Sequence, residues 1–312
     1  MLIRCIQKMK EYLPSGQPLP DHSQSESSGI RTIAEGLPGE VPYSDIIFVN
    51  EAYDSRKTGI NTLTHRPSAY RVYIGPQFFG FTCHQLKSRR HEHFAVQLAF
   101  NFEAPFLLRI DESKAMELFF FILPAFVPHR LVSPAGKHLS ILVDPLSVMG
   151  RKLKAFFQDP DSFAKLNRSL MDSVYRDLKT RLFEFETVNF INNTMAHLNG
   201  LVSKLPECHM DERIRHAINR CQAQGGEKLA VRDLARWTSL SESRARHLFK
   251  EETGVPFTQY LKWLRMMKAI KYACTSGVSL TEAAHMAGFS DSPHLSRMFR
   301  DFFGLMPSSV LQ

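Results

Sequence analysis

Long apolar runs, paired cysteines and tryptophan are all scarce in this 312-residue chain. The most apolar stretch, Leu118 to Val127, is ten residues long and is broken by Pro124. A helix needs about 20 apolar residues to cross a bilayer, so no membrane span is expected. Five cysteines stand at 5, 83, 208, 221 and 274 with no CxxC pair. That spacing excludes a disulfide framework and a cysteine zinc knuckle, and it fits a reducing compartment. The first residues, MLIRCIQKMKEYLP, interleave Arg4, Lys8 and Lys10 with apolar side chains and lack an uninterrupted apolar core or a small-residue cleavage site. No signal peptide is read there, and a cytoplasmic protein is expected. With 44% hydrophobic and 22% charged residues, general disorder and rod-like folds are excluded as well.

What the chain has is length for two domains and an excess of positive charge. Lys+Arg number 39 against 31 Asp+Glu, a net +8, which favours a polyanionic partner. From residue 206 onward 15 basic residues face 11 acidic ones, +4 in 107 residues, whereas the preceding 205 residues also carry +4. Positive charge is therefore about twice as dense in the last third. The pattern along the chain changes three times. Residues 1–40 are rich in Pro, Ser, Gly and acids and read as a leader that buries little apolar surface. Residues 41–146 hold short apolar or alternating runs such as RVYIG, FFGFTCHQL, FAVQLAFNF, FLLRI, LFFFIL and LSILV, the pattern of an all-β barrel or sandwich. Residues 147–205 switch to helical spacing, with Leu153, Phe156 and Phe157, then Leu170, Val174, Leu178, Leu182 and Phe185. A linker at 205–207 precedes a wholly helical segment, residues 206–312. The expected fold class is α+β multidomain.

The last segment repeats itself. Val231, Ala235, Ser239, Leu240, Ser241 and Ser243 recur 49 residues later as Leu280, Ala284, Gly288, Phe289, Ser290 and Ser292. Phe249-Lys250 and Gly254 recur after 50 residues as Phe299-Arg300 and Gly304. Each unit, about 229–254 and 278–304, reads as helix, tight turn, helix. Ala235 and Ala284 suit the close helix contact, Ser239 and Gly288 the turn, and Leu240 and Phe289 the apolar plug. Ser241, and Ser290 or Asp291, suit the caps of the second helices, and a glycine follows each of those helices. A long helix from Phe257 to Cys274 would hold the units one groove spacing apart, about 34 Å, with Lys262, Arg265, Lys268 and Lys271 available to solvent or phosphate.

These motifs, above all AAHMAGFSDSPHLSRMFRDFFGLMPSS in the second unit, resemble the DNA-binding domain of the AraC/XylS family of bacterial transcription regulators. The first unit, LARWTSLSESRARHLFKEETGVPFTQYL, departs at His247, where the family usually has arginine, and at Ala245, where it has a larger apolar residue. The resemblance implies two base-reading helices. Ser243, Arg246 and His247 would face bases from the first, and Ser292, His294 and Arg297 from the second, with Lys250 and Arg300 on phosphate. It further implies a cytoplasmic, non-enzymatic regulator of transcription, more often an activator, acting on double-stranded DNA with RNA polymerase. A homodimer formed through the 147–205 helices, and an N-terminal cupin-like barrel that senses a small molecule, are implied in the same way.

In the β segment, HEHFAVQ and PAFVPH resemble the two metal motifs of cupin barrels, except that Gln97 replaces the glutamate and Phe126 the glycine. His91 and His93 share one strand face by the period of two. With Arg109 and His129 they are candidates for fixing an effector, and ordinary hydrogen bonding of the histidines stays open beside that; no metal or cofactor is assigned. Two alternatives remain: a cupin-type metalloenzyme with a DNA-binding tail, and a constitutive DNA-binding regulator without ligand.

Overall fold

The structure is a computed structural model that describes residues 47–49, 70–75, 77–101, 103–111, 114–157, 184–203, 209–226, 228–276 and 278–311. The leader, the linker at 205–207 and the expected helical positions Leu170 to Leu182 lie outside the described residues.

Among the described residues, ten strands form two antiparallel sheets. One has six strands in the order β1 (Ile47–Val49), β2 (Tyr70–Gly75), β3 (Phe78–Cys83), β10 (His138–Val143), β5 (Val96–Asn101), β8 (Phe120–Leu123). The other has four in the order β4 (Leu86–Lys87), β9 (His129–Ser133), β6 (Phe106–Ile110), β7 (Met116–Leu118). In β6 and β7 buried and exposed residues alternate, the mark of a sheet with one face in water. In β3, β5 and β10 every residue is buried, because both faces of the larger sheet are covered. Its inner face meets the smaller sheet, with Phe121 edge-on to Phe106 and His138 against the same ring. Its outer face meets a helix, Phe100 packing edge-on at 5.1 Å against Phe190.

Two helices follow within the described residues, α1 (Val148–Phe156) and α2 (Glu184–Ser203). The side-chain oxygen of Ser147 accepts from Gly150 N–H at 3.0 Å and starts α1. The buried stripe of α2, Phe190, Ile191, Met195, Leu198 and Val202, is used within the chain. The apolar periodicity of this helix therefore reports internal packing.

The C-terminal part is wholly helical: α3 (Glu212–Gln224), α4 (Val231–Thr238), α5 (Glu242–Thr253), α6 (Phe257–Thr275), α7 (Leu280–Met286), α8 (Ser292–Phe303) and α9 (Pro307–Val310). The expected helix from Phe257 to Cys274 forms, but its burial does not follow the expected stripe alone: Tyr260, Leu264 and Ile270 are buried and Met267 is half-buried. Leu261, Trp263, Met266 and Ala269 are buried too, so α6 is a central post. This changes the role of Arg265, which the stripe had placed toward solvent. Its guanidinium donates to Gly226 O at 2.9 Å and Leu229 O at 3.3 Å, tying the α3–α4 loop to the post. Lys262 and Lys271 are exposed as expected.

The two parts pack together through aromatic rings. Phe94, at 0% exposure, stands 5.6 Å from Trp263 and 5.7 Å from Tyr260 on α6. Phe303, at the end of α8, reaches Phe79 of the larger sheet at 5.6 Å.

Candidate nucleic-acid interface and sensor site

Both repeat units have the local geometry that the sequence spacing requires. Ser239 closes α4 in the left-handed region at φ +55° and Gly288 takes φ +83° at the matching place, while Leu240 N–H and Phe289 N–H return to the carbonyls of Ala235 and Ala284. Ser241 caps α5 by accepting from Arg244 N–H. In the second unit the cap is Asp291, which accepts from His294 N–H at 2.6 Å; Ser290 instead bonds the side chains of Asp291 and His294. That backbone hydrogen bond to the charged form, first among the causes, holds the Asp291 carboxyl below its usual range. Gly254 and Gly304 end α5 and α8 at φ +78° and +65°.

On α5 the side chains of Ser243, Arg246, His247 and Lys250 are all exposed. Arg246 is paired with Glu242 one turn back at 2.9 Å. On α8, Arg297 is exposed while Ser292 and His294 are half-buried, the His294 ring lying edge-on to Phe289. Arg300 is placed differently from Lys250. It is half-buried, donates to Met306 Sδ, and lines a cavity of about 450 Å³ at the seam with Arg89, Arg90, His91, Glu92 and Asp301.

That cavity adjoins the histidines. His91 and His129 form an antiparallel bridge, exchanging N–H···O bonds of 3.0 and 2.9 Å, which sets their side chains opposite one another. Phe126 N–H donates to His93 O and pulls the third histidine alongside. The three rings lie 4.2 to 5.7 Å apart. Phe126 has φ +60°, so the cupin-like motif uses a left-handed residue where it would carry glycine; the ring is held by an edge-on contact with Phe94. Gln97 bridges His93 and Ser140. Burial pushes the pKa of His91 down to about 3, and burial is also the main cause that lowers His93 and His129.

Arg109 is not brought to this cluster. It occupies an exposed position in the alternation of β6, opposite Arg130, while its neighbours Leu108 and Ile110 turn inward. The apolar parity of FLLRI, Phe106, Leu108 and Ile110, faces in, so the alternation itself sets Arg109 outside, against its expected place beside the histidines. Spacing singles out none of the residues that close the other side. Phe303, the last residue of α8, and Leu305, just after it, line the space next to His91, His93 and Gln97, which amounts to about 10 Å³. Arg89 N–H donates to Gly304 O at 3.2 Å across the same seam.

A second buried imidazole environment yields a pH prediction. Burial pushes His138 down to about 3, against about 6.5 in an unfolded chain. Between those values the unfolded chain binds a proton that the fold refuses, so stability is complete above about 6.5 and is lost as pH falls. Urea midpoints are expected to be lower at pH 5 than at pH 7.5, and His138→Phe to weaken that dependence. The thiols of Cys83, Cys221 and Cys274 are pushed up to about 12 by burial, so none is a thiolate near neutrality.

The tandem turns, matched caps and central post define a double helix-turn-helix domain behind an antiparallel β domain. Residues 234–312 match the family described as a helix-turn-helix domain. The Msm operon regulatory protein of Streptococcus mutans is 25% identical over 162 residues, covering 50% of this chain and 58% of that protein. The transcriptional activator RhaS of Escherichia coli is 40% identical over 74 residues, 24% of this chain and 27% of RhaS. The chain thus spans less than two thirds of these relatives. Among solved structures, ToxT from Vibrio cholerae aligns over 74% of this chain and 97% of its own at 10% identity and a TM-score of 0.43. An AraC-type regulator from Chromobacterium violaceum aligns over 31% and 87% at 26% identity and a TM-score of 0.29. The C-terminal third holds a helix-turn-helix domain. No helix among the described residues is long and apolar enough to cross a membrane.

Proposed function

We propose that the chain is a sequence-specific DNA-binding transcription regulator whose β domain senses an effector. The observation that carries this reading is the presentation of two capped helices, α5 and α8, on one buried post. A second helix of this kind enters the major groove with its N-terminal side chains at base edges. Ser243, Arg246 and His247 on α5, and Ser292, His294 and Arg297 on α8, are the proposed base contacts. Lys250 and Arg300 are the proposed phosphate contacts. The relatives named as an operon regulatory protein and a transcriptional activator support a role in transcription, and activation through RNA polymerase is the direction we favour. We further propose domain limits of 41–146, 147–205 and 206–312, homodimerisation through the middle region, and His91, His93 and His129 as effector contacts. An effector acts here only through its different affinity for the DNA-competent and incompetent arrangements of the two parts.

The test is an anisotropy titration against DNA over a range of salt. Lys250→Ala is expected to weaken binding to all sequences alike and to reduce the log-log salt slope by about one. An unchanged slope would remove Lys250 from the phosphate contacts. Binding that is equally tight to every sequence in the wild-type protein would remove the base contacts as well.

A further inference from the structure

From the arrangement of donor atoms we infer that His91, His93 and His129 form a binding site for a divalent first-row transition-metal ion of borderline softness, such as Zn²⁺ or Co²⁺. The inference names the ligand class of the proposed sensor site, and it rests on the regulator reading only for its biological role. The three imidazoles offer ligand atoms within 4.8 Å of one another. In each ring Nδ1 faces a backbone carbonyl: Arg89 O at 2.8 Å, Ala95 O at 2.8 Å and Val127 O at 2.9 Å. A carbonyl can only accept, so Nδ1 carries the proton and Nε2 carries the lone pair in all three. This outer-shell arrangement is the one that orients histidine ligands toward a metal.

With each Nδ1 proton directed at a carbonyl, each ring leaves its Nε2 lone pair available to a ligand. His129 Nε2 is fully buried and has no partner among the described residues. Gln97 Oε1 lies 3.0 Å from His93 Nε2, where an acceptor faces an acceptor. A cation between them would remove that conflict, with Gln97 as a fourth, oxygen ligand; a turned amide would also do so for His93, but it leaves His129 unsatisfied. Tetrahedral coordination at about 2.0–2.1 Å per bond sets nitrogens about 3.3 Å apart, so binding requires the rings to draw together. The space that His91 and His93 line together, about 10 Å³, holds one ion or water. The cavity of about 450 Å³ on the outer side is lined by His91 alone of the three, so an organic ligand there would not engage the full donor set. Imidazole ligation suits Zn, Co, Ni, Cu or Fe and disfavours Mg and Ca.

The experiment uses untagged full-length protein, stripped with a chelator and titrated with Co²⁺. Visible d–d bands of nitrogen-ligated Co²⁺ are expected to saturate near one ion per chain and to vanish when Zn²⁺ is added. His91→Asn and His129→Asn should abolish saturation, whereas His84→Ala, at an exposed position, and His138→Asn, buried outside the cluster, should preserve it. Thermal melts of the stripped proteins confirm that the Asn variants are folded. Absence of saturable bands in the folded wild-type protein, or bands that survive both Asn variants, would overturn the site. The readout contains no DNA, so a negative result leaves the regulator reading standing, and failure of DNA binding leaves the metal result interpretable.

Discussion

Arg297→Ala is expected to weaken binding to the cognate site roughly five- to 150-fold, the equivalent of about 1–3 kcal/mol for one bidentate arginine–guanine contact. The loss should appear as relaxed preference at one base position, with little change on random DNA. Arg297 is singled out because it is exposed on α8 one turn beyond His294, on a helix fixed by the Asp291 cap and by buried Leu295 and Phe299. Arg246, the arginine proposed at a base edge on α5, starts from an ion pair with Glu242 in which both side chains are about half exposed, at 55% and 51%. Such pairs are worth about 0–1 kcal/mol, so Arg246 can leave Glu242 for a base edge, but its net gain is smaller. The second unit should therefore dominate discrimination. An equal loss on cognate and random DNA for Arg297→Ala would make it a phosphate contact instead.

Gly304→Ala is expected to destabilise the full-length protein more than Gly254→Ala, by about 1–3 kcal/mol. The two glycines are matched: each follows the second helix of its unit at positive φ, and each donates its N–H to the carbonyl four residues back, Arg300 or Lys250, at 2.8 Å. Both alanines pay the left-handed backbone cost of about 1–2 kcal/mol. Only at Gly304 does the added Cβ meet the β domain, at 2.7 Å from His91 Nδ1, 2.9 Å from Arg89 O and 3.0 Å from Ser88 Cβ. At Gly254 the nearest neighbour is Lys154 Nζ at 3.4 Å, the movable end of a side chain. The difference between the two urea midpoints measures the seam directly. Equal destabilisation would show that the second unit does not rest on the β domain in solution.

The repeat was legible because caps, turns and plugs are local: Ser239, Ser241, Gly254, Gly288 and Gly304 each do what the nearest few residues demand. Strand alternation was legible for the same reason in RVYIG and FLLRI. The same alternation puts Phe106, Leu108 and Ile110 on the inner face of β6 and Arg109 outside, so placing Arg109 at the effector site ran against a parity that FLLRI carries. Arg265 was misplaced because helical spacing alone cannot show that the α3–α4 loop folds back over α6. The least visible feature was the seam. Phe94, Phe303 and Leu305 look in sequence like ordinary core residues of their own domains, and only tertiary packing sets them against the other part. The histidines illustrate both sides. His91 and His93 share a strand face by spacing, whereas the backbone carbonyls that fix all three tautomers become apparent only when His129 bridges to His91.

The central claim is two-groove reading by α5 and α8. Its most direct test selects bound fragments from the source genome at physiological salt, comparing wild type with Arg246→Ala/Arg297→Ala. The account predicts enrichment by the wild type of a two-part motif whose parts lie about one helical turn apart, and loss of that enrichment in the double variant. Recovery of the same motif by both proteins would contradict the assignment of those helices as the readers of sequence.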